Sequence, residues 1–243
     1  MRPLAALLAA VAAALPAAAD IGPKPRTEAP ALEATGDMAG IGVEMEAEEV
    51  ALTLRRDRKK KWTDVLEVEA VFHMKNTGAD AAFEEGFPIG PFKNMRGFSA
   101  SVDGRPVEAK LVDRFAGQVR SVTEKEASEY DDSGRHDYWY VWTAPYPARA
   151  ARTQVVRYTV DIESGRVHAK TRNVWESAGY VLHTGAAWKG PIGKAVVTLR
   201  TEKGIPLDHL TRIGPRAGGV RHADRIEGTF TDVEPTKDHD IRV

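Results

Sequence analysis

The sequence predicts a mostly β protein, an antiparallel β-sandwich built as one large or two joined sandwiches, with at most a short helix near residues 123–130. Three observations predict it. Roughly ten short segments alternate apolar and polar residues with the period of a strand. Clusters of Gly, Pro, Asn and Asp separate them. No long stretch carries the i, i+3, i+4 spacing of an amphipathic helix.

Residues 1–19 begin Met1-Arg2-Pro3-Leu4, run on as an Ala/Leu-rich stretch to Leu15 and close with Pro16-Ala17-Ala18-Ala19. One basic residue, a short apolar core and an Ala-x-Ala end predict a secretory signal peptide cut after Ala19, with Asp20 as the first mature residue. The stretch is shorter than the ~20 residues a membrane-spanning helix needs and is mostly Ala. No later segment is apolar enough to span, so no transmembrane segment is expected after signal removal and the mature protein is expected in the periplasm or secreted. Residues 20–40 hold Pro23, Pro25, Pro30, Gly36 and Gly40 and predict an irregular linker. Residues 41–243 then form the β region, with a candidate sub-boundary near 115–136.

Within that region Val50, Leu52 and Leu54 alternate with Thr53 and Arg55, a half-buried strand. The basic run Arg55 to Lys61 reads as a solvated turn. Val65 to Lys75 is the clearest strand, with Leu66, Val68, Ala70, Phe72 and Met74 inward and Glu67, Glu69, His73 and Lys75 outward. Asn76-Thr77-Gly78 turns the chain into a short strand around Phe83, which Gly86-Phe87-Pro88 stops. Phe98–Val102 and Arg105–Leu111 flank Asp103-Gly104, the signature of a two-residue type I′ hairpin turn. Thr123 to Glu129 is rich in helix formers. Tyr138–Thr143, Thr153–Ile162, Val181–Thr184, Lys194–Thr201, Arg225–Thr231 and Ile241–Val243 complete the expected strands.

Composition narrows the chemistry. Lys+Arg 34 against Asp+Glu 35 gives a net charge of −1, without the basic excess of a nucleic-acid binder. The absence of cysteine removes disulfides, Cys-zinc sites and thiol chemistry. No nucleophile elbow, P-loop, dinucleotide fingerprint or H-E-x-x-H motif occurs, and the seven histidines are dispersed. No cofactor or metal is expected. Asp131-Asp132-Ser133-Gly134 lacks the spacing of a calcium loop. Asp238-His239-Asp240 reads as a solvated terminus, and Glu84-Glu85 point to opposite faces of a strand.

The densest local feature is Tyr138-Trp139-Tyr140-Val141-Trp142. In a strand Tyr138, Tyr140 and Trp142 share one face and Trp139 and Val141 the other. Either one set fills the core and the other caps the opposite face, or Tyr138, Tyr140 and Trp142 make a ring platform for a sugar or a protein partner. Trp62, Trp175 and Trp188 read as core residues.

Several phrases resemble those of a family of exported bacterial β-rich proteins that form a domain of unknown function. They are Met45–Val50 leading into an alternating strand; Phe72-His73-Met74-Lys75-Asn76-Thr77-Gly78 leading to Glu85-Gly86-Phe87-Pro88; Val155-Val156-Arg157-Tyr158; Tyr180–Gly185 followed by Trp188-Lys189-Gly190-Pro191-Ile192-Gly193; and Glu234-Pro235-Thr236. The resemblance covers roughly residues 41–243. It implies an exported all-β protein and supplies no catalytic residues.

The expected function is therefore a non-enzymatic accessory or interaction role in the bacterial envelope, with an envelope protein or a glycan as partner. Two other readings stand beside it: a carbohydrate-binding module using the Tyr138–Trp142 strand, and a hydrolase whose site is assembled from dispersed His, Asp and Glu.

Overall fold

The computed structural model describes residues 22–23, 42–57, 64–88, 95–114, 118–130, 136–166, 174–177, 179–180, 182–207, 219–236, 239 and 241–242. The expected signal peptide lies outside the described residues. Of the expected linker only Gly22 and Pro23 are described.

Alternation of apolar and polar residues builds two sheets. The first has the order β1 (Gly22–Pro23), β4 (Ala81–Pro88), β9 (Tyr138–Tyr146), β7 (Lys110–Asp113) and β8 (Arg120–Ser121). The second has the order β15 (Val220–Arg221), β16 (Ile226–Val233), β14 (Ile192–Thr201), β2 (Val43–Arg56), β3 (Asp64–Asn76), β10 (Ala151–Asp161), β5 (Met95–Val102) and β6 (Arg105–Val107). Two small ribbons pair β11 (Glu163–Arg166) with β12 (Val174–Ser177), and β13 (Gly179–Tyr180) with β17 (Ile241–Arg242). The pairing is antiparallel except between β2 and β14, which run parallel from Ala47↔Lys194 to Leu54↔Thr201. The mostly β, sandwich-like architecture is the expected one.

The expected faces hold. On β3, Leu66, Val68, Ala70, Phe72 and Met74 are buried, while His73 is half-exposed beside Glu49 at 3.6 Å. The hairpin turn has φ of 49° at Asp103 and 74° at Gly104, the positive pair that a type I′ turn requires. Helix α1 (Glu124–Tyr130) begins with a capping box. The Thr123 amide donates to Glu126 Oε2 at 2.8 Å, and the Glu126 amide donates to Thr123 Oγ1 at 3.2 Å.

Three expected strands differ. Gly86, Phe87 and Pro88, expected to stop the strand around Phe83, extend β4 and pair with Val141, Tyr140 and Trp139 of β9. The expected arm Arg105–Leu111 divides between β6 and β7, which lie in different sheets. Within Val181–Thr184 the chain leaves Leu182 as a 3-10 helix, His183–Ala187, closed by the Gly185 amide donating to the Leu182 carbonyl at 3.0 Å. The Gly-Ala-Ala run supplies no alternating apolar face to hold a strand in a sheet, and the small residues admit the tighter turn.

The two sheets pack face to face through one core. Phe98 on β5 stacks on Tyr140 of β9 with centroids 4.0 Å apart, and Phe87 on β4 meets Tyr158 of β10 at 5.3 Å. Leu111 before residues 115–136, Val122 within them and Tyr138 after them all belong to this core.

Candidate functional site

The aromatic strand places its three-ring face inward. Tyr138, Tyr140 and Trp142 are 2%, 6% and 3% exposed. Tyr140 donates its hydroxyl to Glu124 at 2.9 Å, Trp142 donates its indole N–H to Gln154 at 3.3 Å, and Tyr138 stacks on His136. These rings form core and not a surface platform, because β9 is a central strand whose inner face meets β5 and β10. Its outer face carries Trp139, which rests over Gly86, donates to Asp137 at 2.8 Å and lies under Arg114 at 4.6 Å. Trp188 is buried as expected; Trp62 and the side chain of Trp175 are not among the described groups.

Other sequence candidates disperse. Asp131–Gly134, Asp238 and Asp240 lie outside the described residues. His239 accepts the Thr236 amide at 3.0 Å and closes a terminal turn. His136 meets the buried Asp113 carboxylate at 2.6 Å, a pair the sequence spacing did not reveal. Among the described residues no group of three or more His, Asp or Glu is placed to hold a metal ion.

What converges is the set of glycine-bearing phrases. Asn76, at the end of β3, donates its amide to the carbonyls of Ala79, Tyr146 and Pro147 at 2.6, 2.8 and 3.2 Å. Thr77 donates its amide to the Gly42 carbonyl at 2.6 Å. Above them the Lys189 ammonium donates to Glu44 at 2.6 Å and to Thr77 at 2.9 Å. Its own backbone amide donates to the Val43 carbonyl, and Trp188 anchors the turn beneath Phe83 and Tyr146. At Gly193 a Cβ would lie 2.6 Å from the Glu46 carbonyl, so only glycine lets β14 approach the bulged part of β2. The result is an open cleft of about 450 Å³ lined by Glu44, Met45, Glu46, Lys189, Gly190, Pro191 and Gly193. Lys189, Glu44 and Glu46 are each roughly half-exposed there. The hydrogen bond from Lys189 holds the Glu44 carboxyl below its usual range.

Two carboxyls in the core were not singled out by the sequence pattern. Glu85 is fully buried between the sheets. It accepts from Gln154 of β10 at 2.9 Å and from the Tyr146 hydroxyl of β9. Glu48 is fully buried and accepts from the Tyr180 hydroxyl at 2.7 Å. Burial pushes Glu85 up to about 7 and Glu48 to about 8, against the hydrogen bonds that favour their ions. A signal was present: Glu48 is in phase with Val50, Leu52 and Leu54, and Glu85 with Phe83 and Phe87.

These two carboxyls set the pH dependence of the fold. A raised carboxyl keeps its proton in the folded state and loses it on unfolding, so the stability each contributes is full below about pH 4.5 and is lost as pH rises towards about 7 for Glu85 and about 8 for Glu48. The lowered carboxyls of Asp103 and Glu44 act in the opposite direction, at more acid pH. Urea melts should show greater stability at about pH 5 than at about pH 8, and Glu85→Gln should remove about 3 kcal/mol of that difference. A wild-type profile that rises with pH, or a Glu85→Gln profile identical to it, contradicts the assignment.

No family model matches the chain, and no curated protein matches it. Among solved structures it is similar to a candidate nutrient binding protein of Legionella pneumophila, with 13% identity and a TM-score of 0.63. That match covers 94% of this chain and 71% of the other. An M1 zinc metallopeptidase of Deinococcus radiodurans matches at 11% identity and a TM-score of 0.35, with 83% of this chain covering 42% of that one. At such identities the Legionella protein shares the fold with this chain, which is what the comparison establishes.

Proposed function

We propose that the protein is an exported, non-catalytic binding module of the bacterial envelope, and that its ligand surface is the cleft between the bulge of β2 and the Lys189–Gly193 turn. The observation that carries this reading is the convergence of separate sequence phrases on one open, charged cleft. Asn76 and Gly42 brace its floor, Trp188 anchors its wall, and Lys189, Glu44 and Glu46 line its mouth. The shared fold of the Legionella protein, described as a candidate nutrient binder, fits a binding role. Lys189 pairs with Glu44, and Glu46 pairs with Lys75 at 3.1 Å, so the mouth presents both signs of charge and suits a small polar ligand that carries both.

Calorimetric titration with a panel of free amino acids and dipeptides, and hexoses as controls, tests this. Binding of a zwitterionic member is expected, and Lys189→Glu should weaken it at least about tenfold. The melting temperature should barely move, since an exposed ion pair contributes at most about 1 kcal/mol. Hexose binding alone, zwitterion binding that survives Lys189→Glu, or no binding across the panel rejects the proposal.

A further inference from the structure

Glu48 owes its place in the core to a local irregularity. Val43 and Met45 point inward on β2, and unbroken alternation would put residue 47 inward and residue 48 outward. The register against β3 slips between Met45 and Ala47, so Glu48, Val50, Leu52 and Leu54 face the core instead. A bulge that turns a carboxyl into an apolar interior is costly unless the carboxyl is neutral or well bonded.

The surroundings of Glu48 decide which. Its cross-strand neighbours are Phe72 on β3 and Ala195 on β14. The inner faces of those strands offer Ala70, Phe72 and Met74, and Ala195 and Val197, none of them titratable. The Tyr180 hydroxyl of β13 donates to it, and among the described residues Oε2 has no hydrogen-bond partner. No described cation faces it. A single neutral donor is too little for a carboxylate in such a place, so the folded arrangement is that of the protonated acid.

We propose that Glu48 and Tyr180 form a proton-operated latch that fastens the 3-10 helix and the Trp188–Pro191 turn to the eight-stranded sheet, and frees them when Glu48 gives its proton to solvent base. The side that yields is set by the pairing. β2 is held along both edges by β3 and β14. Among the described residues, the ladder of β13 is the short one with β17, at Gly179↔Arg242 and Tyr180↔Ile241. A charge formed at Glu48 must reach water, and displacing Tyr180 breaks far fewer ladder bonds than opening the sheet. Leu182, the 3-10 helix and Trp188 come directly after Tyr180 in the chain, so its release loosens that wall of the cleft. The latch holds whatever the cleft binds.

Amide hydrogen exchange on the whole chain, from about pH 5 to about pH 9 and corrected for base catalysis of exchange itself, reads the latch directly. Protection of the Gly185, Trp188 and Lys189 amides, bonded to Leu182, Gly185 and Val43, should fall about tenfold or more as pH rises from about 5 towards about 8 and level off above it. Amides of Val68 and Phe72 on β3, which open only with the whole fold, should instead follow the urea-melt stability at each pH and stay better protected than those three. Glu48→Gln, which keeps an acceptor for Tyr180 but has no proton to lose, should keep the three amides protected throughout. Tyr180→Phe removes the donor that favours the carboxylate, so the transition should move to higher pH. A flat wild-type profile overturns the latch, as does a Glu48→Gln protein with the same fall. If Glu48→Gln does not fold, a Tyr180→Phe transition that stays in place or moves to lower pH overturns it.

Discussion

Phe72→Ala is expected to lower the unfolding free energy by about 3–5 kcal/mol, whereas His73→Ala should cost under about 0.5 kcal/mol. Adjacent residues on one strand differ this much because they face opposite media. Phe72 is fully buried on β3, and its cross-strand neighbours on the same face are Glu48 of β2 and Gln154 of β10. The ring thus separates the Glu48–Tyr180 pair from the Glu85–Tyr146–Gln154 network. Its removal opens a cavity with polar groups in its walls, the kind that water enters. His73 is half-exposed and its partner Glu49 is on the surface, where an ion pair contributes little. Denaturant unfolding of both variants with an unchanged m-value makes the comparison. Equal losses would show that this strand does not have one wet face.

Asn76→Asp should cost about 3–5 kcal/mol at neutral pH although it replaces one atom. The Asn76 amide supplies hydrogens to three carbonyl oxygens, and its own oxygen accepts the Gly78 amide at 2.8 Å. A carboxylate would set a charged oxygen against those three carbonyls in a buried corner. The new carboxyl would hold its proton more tightly than the ordinary Asp value of about 3.9, so the loss should shrink as pH falls to about 4. Urea melts at the two pH values check this. A loss independent of pH would mean that Asn76 acts through its shape and not through its donors.

Strand existence was legible where one face is wet, as on β3, and at Asp103-Gly104, where two adjacent residues demand positive φ. The helix after Thr123 was legible from its formers, and its capping box explains where it starts. The inward rings of β9 admit two readings in the sequence, because alternation fixes which residues share a face and not which face is wet. The parallel pairing of β2 with β14 leaves no local trace, since the partners lie far apart in the chain. The cleft has the same character: Asn76 and Lys189 look like separate turn residues until the fold brings Thr77 to the Lys189 ammonium. The buried carboxyls were visible in phase yet easily read as surface, because Glu rarely belongs to a core.

The parallel ladder has a consequence for how the chain is made. β2 and β3 are neighbours in sequence and can pair early, but β14 is synthesised long after them. Until it arrives, β2 is an open edge whose second half carries Val50, Leu52 and Leu54, and such edges recruit strands from other chains. Contacts of this range also slow folding, which lengthens the exposure. Glu48 sits in the middle of that edge. In the unfinished chain it is in reach of water and ionised, and an inward-pointing charge on an edge strand discourages a foreign strand from adding there. When β14 docks with Ala195 beside Glu48, the same carboxyl takes up a proton and becomes core.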